Sequence, residues 1–133
     1  MGCDCTQTVV SYTIDSAGIV QVSATTTPCT AGVASGAVAS ANGAITTLNG
    51  VVVITKGSAA TLTLAAPTAT TDDYKILKIE STTAYAHTVT TPANKINGSL
   101  SVITFDGTVG NFIELIAYQG IWYVEAQQGV ELS

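Results

Sequence analysis

FIELIAYQGIWYVEA, Phe112–Ala126, decides how this chain folds. Ile113, Leu115 and Ala117 alternate with Phe112, Glu114, Ile116 and Tyr118. The first set is uniformly apolar, and side chains two apart on a strand share a face, so that set points into a core. Gln119-Gly120 then makes a tight turn into Ile121–Glu125, which predicts a C-terminal hairpin. Working back, LTL at Leu62–Leu64, ILKI at Ile76–Ile79, HTVT at His87–Thr90 and SLSVITF at Ser99–Phe105 are strand-like. Ala-Pro, Asp-Asp, Pro-Ala-Asn, Asn-Gly and Asp-Gly punctuate them as turns. VVVIT at Val51–Thr55 reads as the first strand of this region.

Seven of the eight aromatic residues lie in this region, from Tyr74 to Tyr123, which places the core there. Trp122 in the terminal hairpin is expected to fill that core. The alternative reading makes a sugar-stacking platform of Tyr118, Trp122 and Tyr123. The expectation is an all-β protein: an N-terminal β-hairpin and an Ala/Gly/Ser-rich linker, followed by an antiparallel β-sandwich or barrel-like module. The arm covers residues 1–50 and the module residues 51–133.

The hairpin is read from TVVSYTID at Thr8–Asp15, where Val10, Tyr12 and Ile14 share one face and Thr13 and Asp15 the other. Ser16-Ala17-Gly18 turns the chain into IVQVSAT at Ile19–Thr25. Between Cys29 and Gly50 the chain is rich in Ala, Gly and Ser, the composition of an extended linker. A competing pattern places Ala34, Val38, Ala41, Ile45 and Leu48 at heptad-like spacing, as in a slender helix around a symmetry axis. Gly32, Gly36 and Gly43 oppose it, each costing about 1 kcal/mol against Ala in a helix.

Charge narrows the function classes. The chain of 133 residues has only four lysines, no arginine and nine acidic residues, a net charge of -5. A nucleic-acid binder needs a basic footprint, and this chain has none. No run reaches the roughly 18 apolar residues of a membrane-spanning helix, so no membrane insertion is expected. Only 10% of residues are charged, against about 25% in typical domains. Thr, Ser, Ala and Gly fill the difference.

Few groups are equipped for chemistry. His87 is the one histidine, and no nucleophile turn accompanies it, so it reads as a packed polar residue. Asp72-Asp73 reads as a solvated turn with too few oxygen ligands nearby for calcium. Glu80 and Glu114 are the carboxylates that a small carbohydrate-active enzyme would need across a cleft, yet both sit at solvent-facing strand positions. No catalytic residue, cofactor or enzyme activity is expected. Cys3, Cys5 and Cys29 allow a disulfide to Cys29, free structural thiols, or a weak metal site shared between copies. Met1–Thr6 matches an acylation pattern but lacks the polybasic patch that usually assists it. Tyr85 and Tyr118 are the candidate surface-binding aromatics.

Three stretches carry a resemblance: Ala86-His87-Thr88-Val89-Thr90, the Thr104-Phe105-Asp106-Gly107 turn, and Gly120-Ile121-Trp122-Tyr123-Val124. Over Gly57–Val124 the chain resembles a β module of tailed-bacteriophage virion proteins, notably capsid decoration or head-fibre proteins and tail-fibre segments. The resemblance implies a homotrimer made in the host cytoplasm and placed on the outer capsid surface. Its N-terminal part would dock on the major capsid protein, and its C-terminal part would project, with a host glycan as a further partner. Tail-fibre or receptor-binding service is the alternative.

Overall fold

A computed structural model describes the backbone of residues 6–28 and 36–133. These divide into two compact units, with the boundary between Val33 and Ala34. The first unit is one antiparallel hairpin, β1 (Thr6–Ile14) and β2 (Val20–Pro28), in continuous register from Thr6↔Pro28 to Ile14↔Val20. Asp15 builds its turn: Oδ1 accepts the N–H of Ala17 and of Ile19, both at 2.9 Å. Gly18 takes the left-handed conformation this turn requires, at φ 81°. These hydrogen bonds, led by that from Ile19, hold the Asp15 carboxyl below its ordinary range.

The second unit is two five-stranded sheets over one core. Its strands are β3 (Gly36–Ala39), β4 (Gly43–Ile45), β5 (Gly50–Ile54), β6 (Thr61–Leu64), β7 (Ile76–Ser81), β8 (Thr88–Thr90), β9 (Val102–Phe105), β10 (Phe112–Tyr118), β11 (Ile121–Gln128) and β12 (Val130–Leu132). The first sheet has the order β11-β10-β7-β5-β3 and the second β12-β9-β8-β6-β4. From β3 to β8 the chain crosses between sheets at every step. Three coils result, in which β3, β5 and β7 stack in parallel on one side and β4, β6 and β8 on the other. Antiparallel pairing then finishes both sheets: β9 joins β8, β10 joins β7, β11 joins β10, and β12 joins β9.

The all-β class expected from the sequence is what the structure has, with no closed barrel. The sheets are mixed, however, where antiparallel pairing was expected. The segment read as linker or heptad helix supplies β3 and β4, one edge strand of each sheet. The module therefore begins well before Val51. Its first coil contains Gly36, Ala37, Ala39, Gly43 and Ala44, and this composition disguised it as a linker.

Alternation sets the core. Ile113, Leu115 and Ala117 are buried as their spacing predicts, with Val52, Ile54, Leu77, Ile79 and Trp122 beside them from the first sheet. Ile45, Leu62, Leu64, Val89, Ile103 and Phe105 meet them from the second. Trp122 donates its indole N–H to the Ala65 carbonyl at 3.0 Å, so its one polar atom is satisfied inside. On the second sheet, threonines take the outward positions: Thr61 stands opposite Thr88, Thr88 opposite Thr104, and Thr63 opposite Thr90. Threonine's β-branch suits such a surface without adding charge.

Two asparagines link successive coils in the same way. Asn42 and Asn49 each precede a glycine that opens a strand, Gly43 of β4 and Gly50 of β5. Asn42 Oδ1 accepts the N–H of Thr61, the first residue of β6, at 3.0 Å. Asn49 Oδ1 accepts that of Ile76, the first residue of β7, at 3.2 Å.

Candidate functional site

The loop from Thr68 to Lys75 and the β10–β11 turn meet at one end of the first sheet, and Asp72 and Asp73 organise the junction. Asp72 is buried. Its Oδ2 accepts the Thr68 N–H and its Oδ1 the Lys75 ammonium, each at 2.6 Å. The Lys75 contact first, then the Thr68 N–H, hold the Asp72 carboxyl below its ordinary range. Asp73 reaches across the chain. Its Oδ1 accepts the backbone N–H of Gln119 at 2.7 Å and that of Thr70 at 3.1 Å, while Oδ2 accepts the Gln119 side-chain amide at 2.6 Å. The pair is a structural clasp rather than the solvated turn read from sequence. Among the described residues, no group of three His, Cys, Asp or Glu side chains is placed to hold a metal ion.

This clasp sets two tyrosines side by side. Tyr74 and Tyr118 have ring centroids 5.9 Å apart at an interplanar angle of 41°. They are 73% and 46% exposed, so both rings are presented to solvent. Tyr74 lies at φ 70° and Gln119 at φ 47°, a left-handed conformation that bulky residues rarely take. The Tyr74 N–H bonds to Ala117 O at 2.7 Å and the Ala117 N–H to Lys75 O at 2.9 Å, which fixes this backbone on the end of β10. The same face continues into Ile76, Ile116 and Tyr123, which are cross-strand neighbours on β7, β10 and β11.

The other predicted residues are dispersed. Trp122 is in the core and is no part of a platform. Tyr85 is exposed but stands elsewhere, edge-on to His87 with ring centroids 6.5 Å apart. Tyr118 finds its partner in Tyr74, a residue no strand pattern singled out. The signal available in sequence was Tyr74 directly after Asp72-Asp73. Glu80 and Glu114 lie on the outer face of the first sheet, where Glu80 pairs with Lys78 at 2.9 Å. Cys3, Cys5 and Cys29 lie outside the described residues, as does the acylation pattern apart from Thr6.

His87 is fully buried. Its Nδ1 accepts the Ala60 N–H at 3.0 Å, which places the ring proton on Nε2, 2.9 Å from Thr83 Oγ1. Thr83 Oγ1 in turn donates to the Lys56 carbonyl at 3.0 Å. Burial, then the nearby Lys56 charge, hold the imidazole below its ordinary pKa. A neutral ring with both nitrogens engaged is a core strut.

Two clefts open near β4. One, of about 270 Å³, lies between β3 and β4 against Val52 and Leu62; the other, of about 520 Å³, is lined by Ile45, Leu48, Leu64 and Pro92. Among the described residues, none that lines either cleft has a titratable side chain. Comparison with protein-family models, with curated proteins and with solved structures gives no match.

Proposed function

We propose that this chain is a structural virion protein, a homotrimer that decorates and stabilises a bacteriophage capsid through its N-terminal hairpin. The observation that carries the reading is the hairpin's apolar face. Val10, Tyr12 and Ile14 on β1 and Val20 and Val22 on β2 share it, each between 45% and 73% exposed. An isolated two-stranded ribbon is marginal in water, and a surface covering this face supplies what it lacks. The residues of the phage-like stretches add support. Among the described residues, no strand pairs with the outer edge of the short edge strands β3 and β4, which favours association between copies.

The mechanism is clamping. A protein that binds only the assembled shell lowers the free energy of that state in proportion to the logarithm of ligand over Kd. Burying apolar surface across neighbouring subunits opposes their separation.

Sedimentation with undecorated capsids tests the reading. The full chain saturates the shell, whereas a chain lacking Met1–Pro28 stays in the supernatant. An Ile14→Asp variant behaves like the truncation. Equal saturation by the truncated chain removes the docking role. Light scattering with and without reductant tests the trimer: a mass of three chains in both conditions is expected, and a monomer in both conditions counts against it.

The receptor-binding alternative draws its support from the exposed Tyr74–Tyr118 pair, and that surface has a consequence independent of the shell.

A further inference from the structure

We propose that the Tyr74–Tyr118 surface is a binding site for a neutral glycan, in which a hexopyranose ring stacks on the tyrosine faces. This inference does not rest on capsid docking. It starts from strain. A tyrosine at φ 70° is costly, and such backbone persists only where its surroundings over-determine it, whereas Gln119 at φ 47° takes the conformation its two-residue hairpin turn requires. The surroundings of Tyr74 do so. Asp73 holds Gln119 by backbone and side chain, and Tyr74 and Lys75 are stitched to Ala117. The outcome of this construction is two large rings turned outward, where core packing gains little from them.

The chemistry of the surface matches a sugar. Apolar C–H faces of a pyranose pack on aromatic rings, and its hydroxyls take hydrogen bonds at the rim. Tyrosine supplies a rigid contact with a polar tip at little entropic cost. Gln119 is exposed, and with Nε2 committed to Asp73 it keeps its amide oxygen for a sugar hydroxyl.

Charge selects among sugars. The chain has no arginine, and the Lys75 ammonium beside the platform is held by Asp72. Asp73 leaves the clasp with a net negative charge. A sialylated or uronic-acid glycan meets repulsion there, and a neutral one does not. The apolar continuation is small, consisting of Ile76, Ile116 and Tyr123. Specific protein interfaces bury about 800 Å² on each partner, well beyond what these side chains present, which favours a sugar over a protein.

The test is an NMR titration of the full chain, reading the tyrosine ring signals, with cellopentaose and mannopentaose as neutral probes and 3′-sialyllactose as an acidic one. Shifts at Tyr74 and Tyr118 are expected with at least one neutral probe, at roughly millimolar Kd, and weaker binding of sialyllactose. Tyr74→Ala and Tyr118→Ala should each weaken binding about tenfold or more, as loss of an anchoring aromatic does. Tyr118→Phe keeps the stacking face and most of the affinity, and Tyr85→Ala, remote from the platform, leaves binding unchanged. The buried Trp122 indole N–H signal reports that every variant is folded. The proposal is overturned by the absence of shifts with both neutral probes up to roughly 10 mM, a range that covers weak sugar binding. Binding untouched by the alanine variants overturns it too, as does preference for sialyllactose. Tyrosine shifts that follow protein concentration alone would assign the surface to a second copy and overturn it as well.

Discussion

His87 couples the stability of this fold to pH. The native ring is neutral, with a pKa held below its ordinary 6.5 by burial, so the unfolded chain takes up the proton first. Above pH 6.5 both states are neutral and the contribution is complete. As pH falls below 6.5 toward the lowered native value, stability declines. Thermal denaturation between pH 7 and 5 should show a falling Tm, and His87→Gln should flatten that slope. An unchanged slope would place the effect on other groups. In His87→Ala the Ala60 N–H loses its acceptor inside the core, at a cost of roughly 1–3 kcal/mol in urea unfolding.

Gly129 is a second residue-scale constraint. It sits at φ 61°, and a Cβ there would run into the Asn111 amide, which donates to Gly129 O at 3.0 Å and also to Asp106. Gly129→Ala therefore costs more than about 1 kcal/mol through backbone strain and displacement of a buried polar side chain. Equilibrium denaturation measures this directly, and a neutral result would show that Asn111 can move aside freely.

Elements differ in how plainly they were written. β10 and β11 were legible because strict alternation and a Gln-Gly turn specify both faces and the reversal. Even there, a bulge at Glu114/Leu115, with Leu115 opposite Val124 and Glu114 opposite Ala126, left no mark in the sequence. β3 and β4 were hidden. Small residues carry little strand preference, and these strands exist because β5 and β6 offer them parallel partners. The platform was half legible. Tyr118 could be assigned to an outer face by alternation, but Tyr74 arrives through a loop whose geometry depends on a contact 46 residues away. The asparagine links between coils yield an element-scale expectation. Asn42→Ala and Asn49→Ala each remove one acceptor from the start of a strand, costing about 0.5–1.5 kcal/mol. Hydrogen exchange should accelerate selectively at Thr61 and Ile76. Uniform acceleration would mean that the links support the whole fold rather than one strand end.

For the molecule as a whole, the two units predict separable behaviour. Among the described residues, the hydrophobic core lies within the β module, so residues 34–133 alone should unfold cooperatively, with the Trp122 environment and Tm close to those of the full chain. The isolated segment Thr6–Pro28 should show no stable strand signal by circular dichroism, since two strands without a covering layer are marginal. Collapse of the truncated module would show that the hairpin contributes to its stability. The presence of a hairpin and a β module was readable in sequence because both rest on local alternation and turns. The crossing from sheet to sheet was not, because parallel partners lie far apart and no local pattern encodes who pairs with whom.

That crossing has a consequence for how the chain is made. Strands of the two sheets leave the ribosome in alternation, and the antiparallel strands that finish both sheets come last. Each coil adds one strand to both sheets, so the layers grow together, but one flank of the core stays open until β9–β11 bring Ile103, Phe105, Ile113, Leu115, Ala117 and Trp122. Parallel, long-range pairing is slow because loop-closure entropy is lost before contacts repay it. Closure of the core is thus a late event of synthesis, and nascent chains interrupted before β10 are the species most exposed to aggregation and to chaperones.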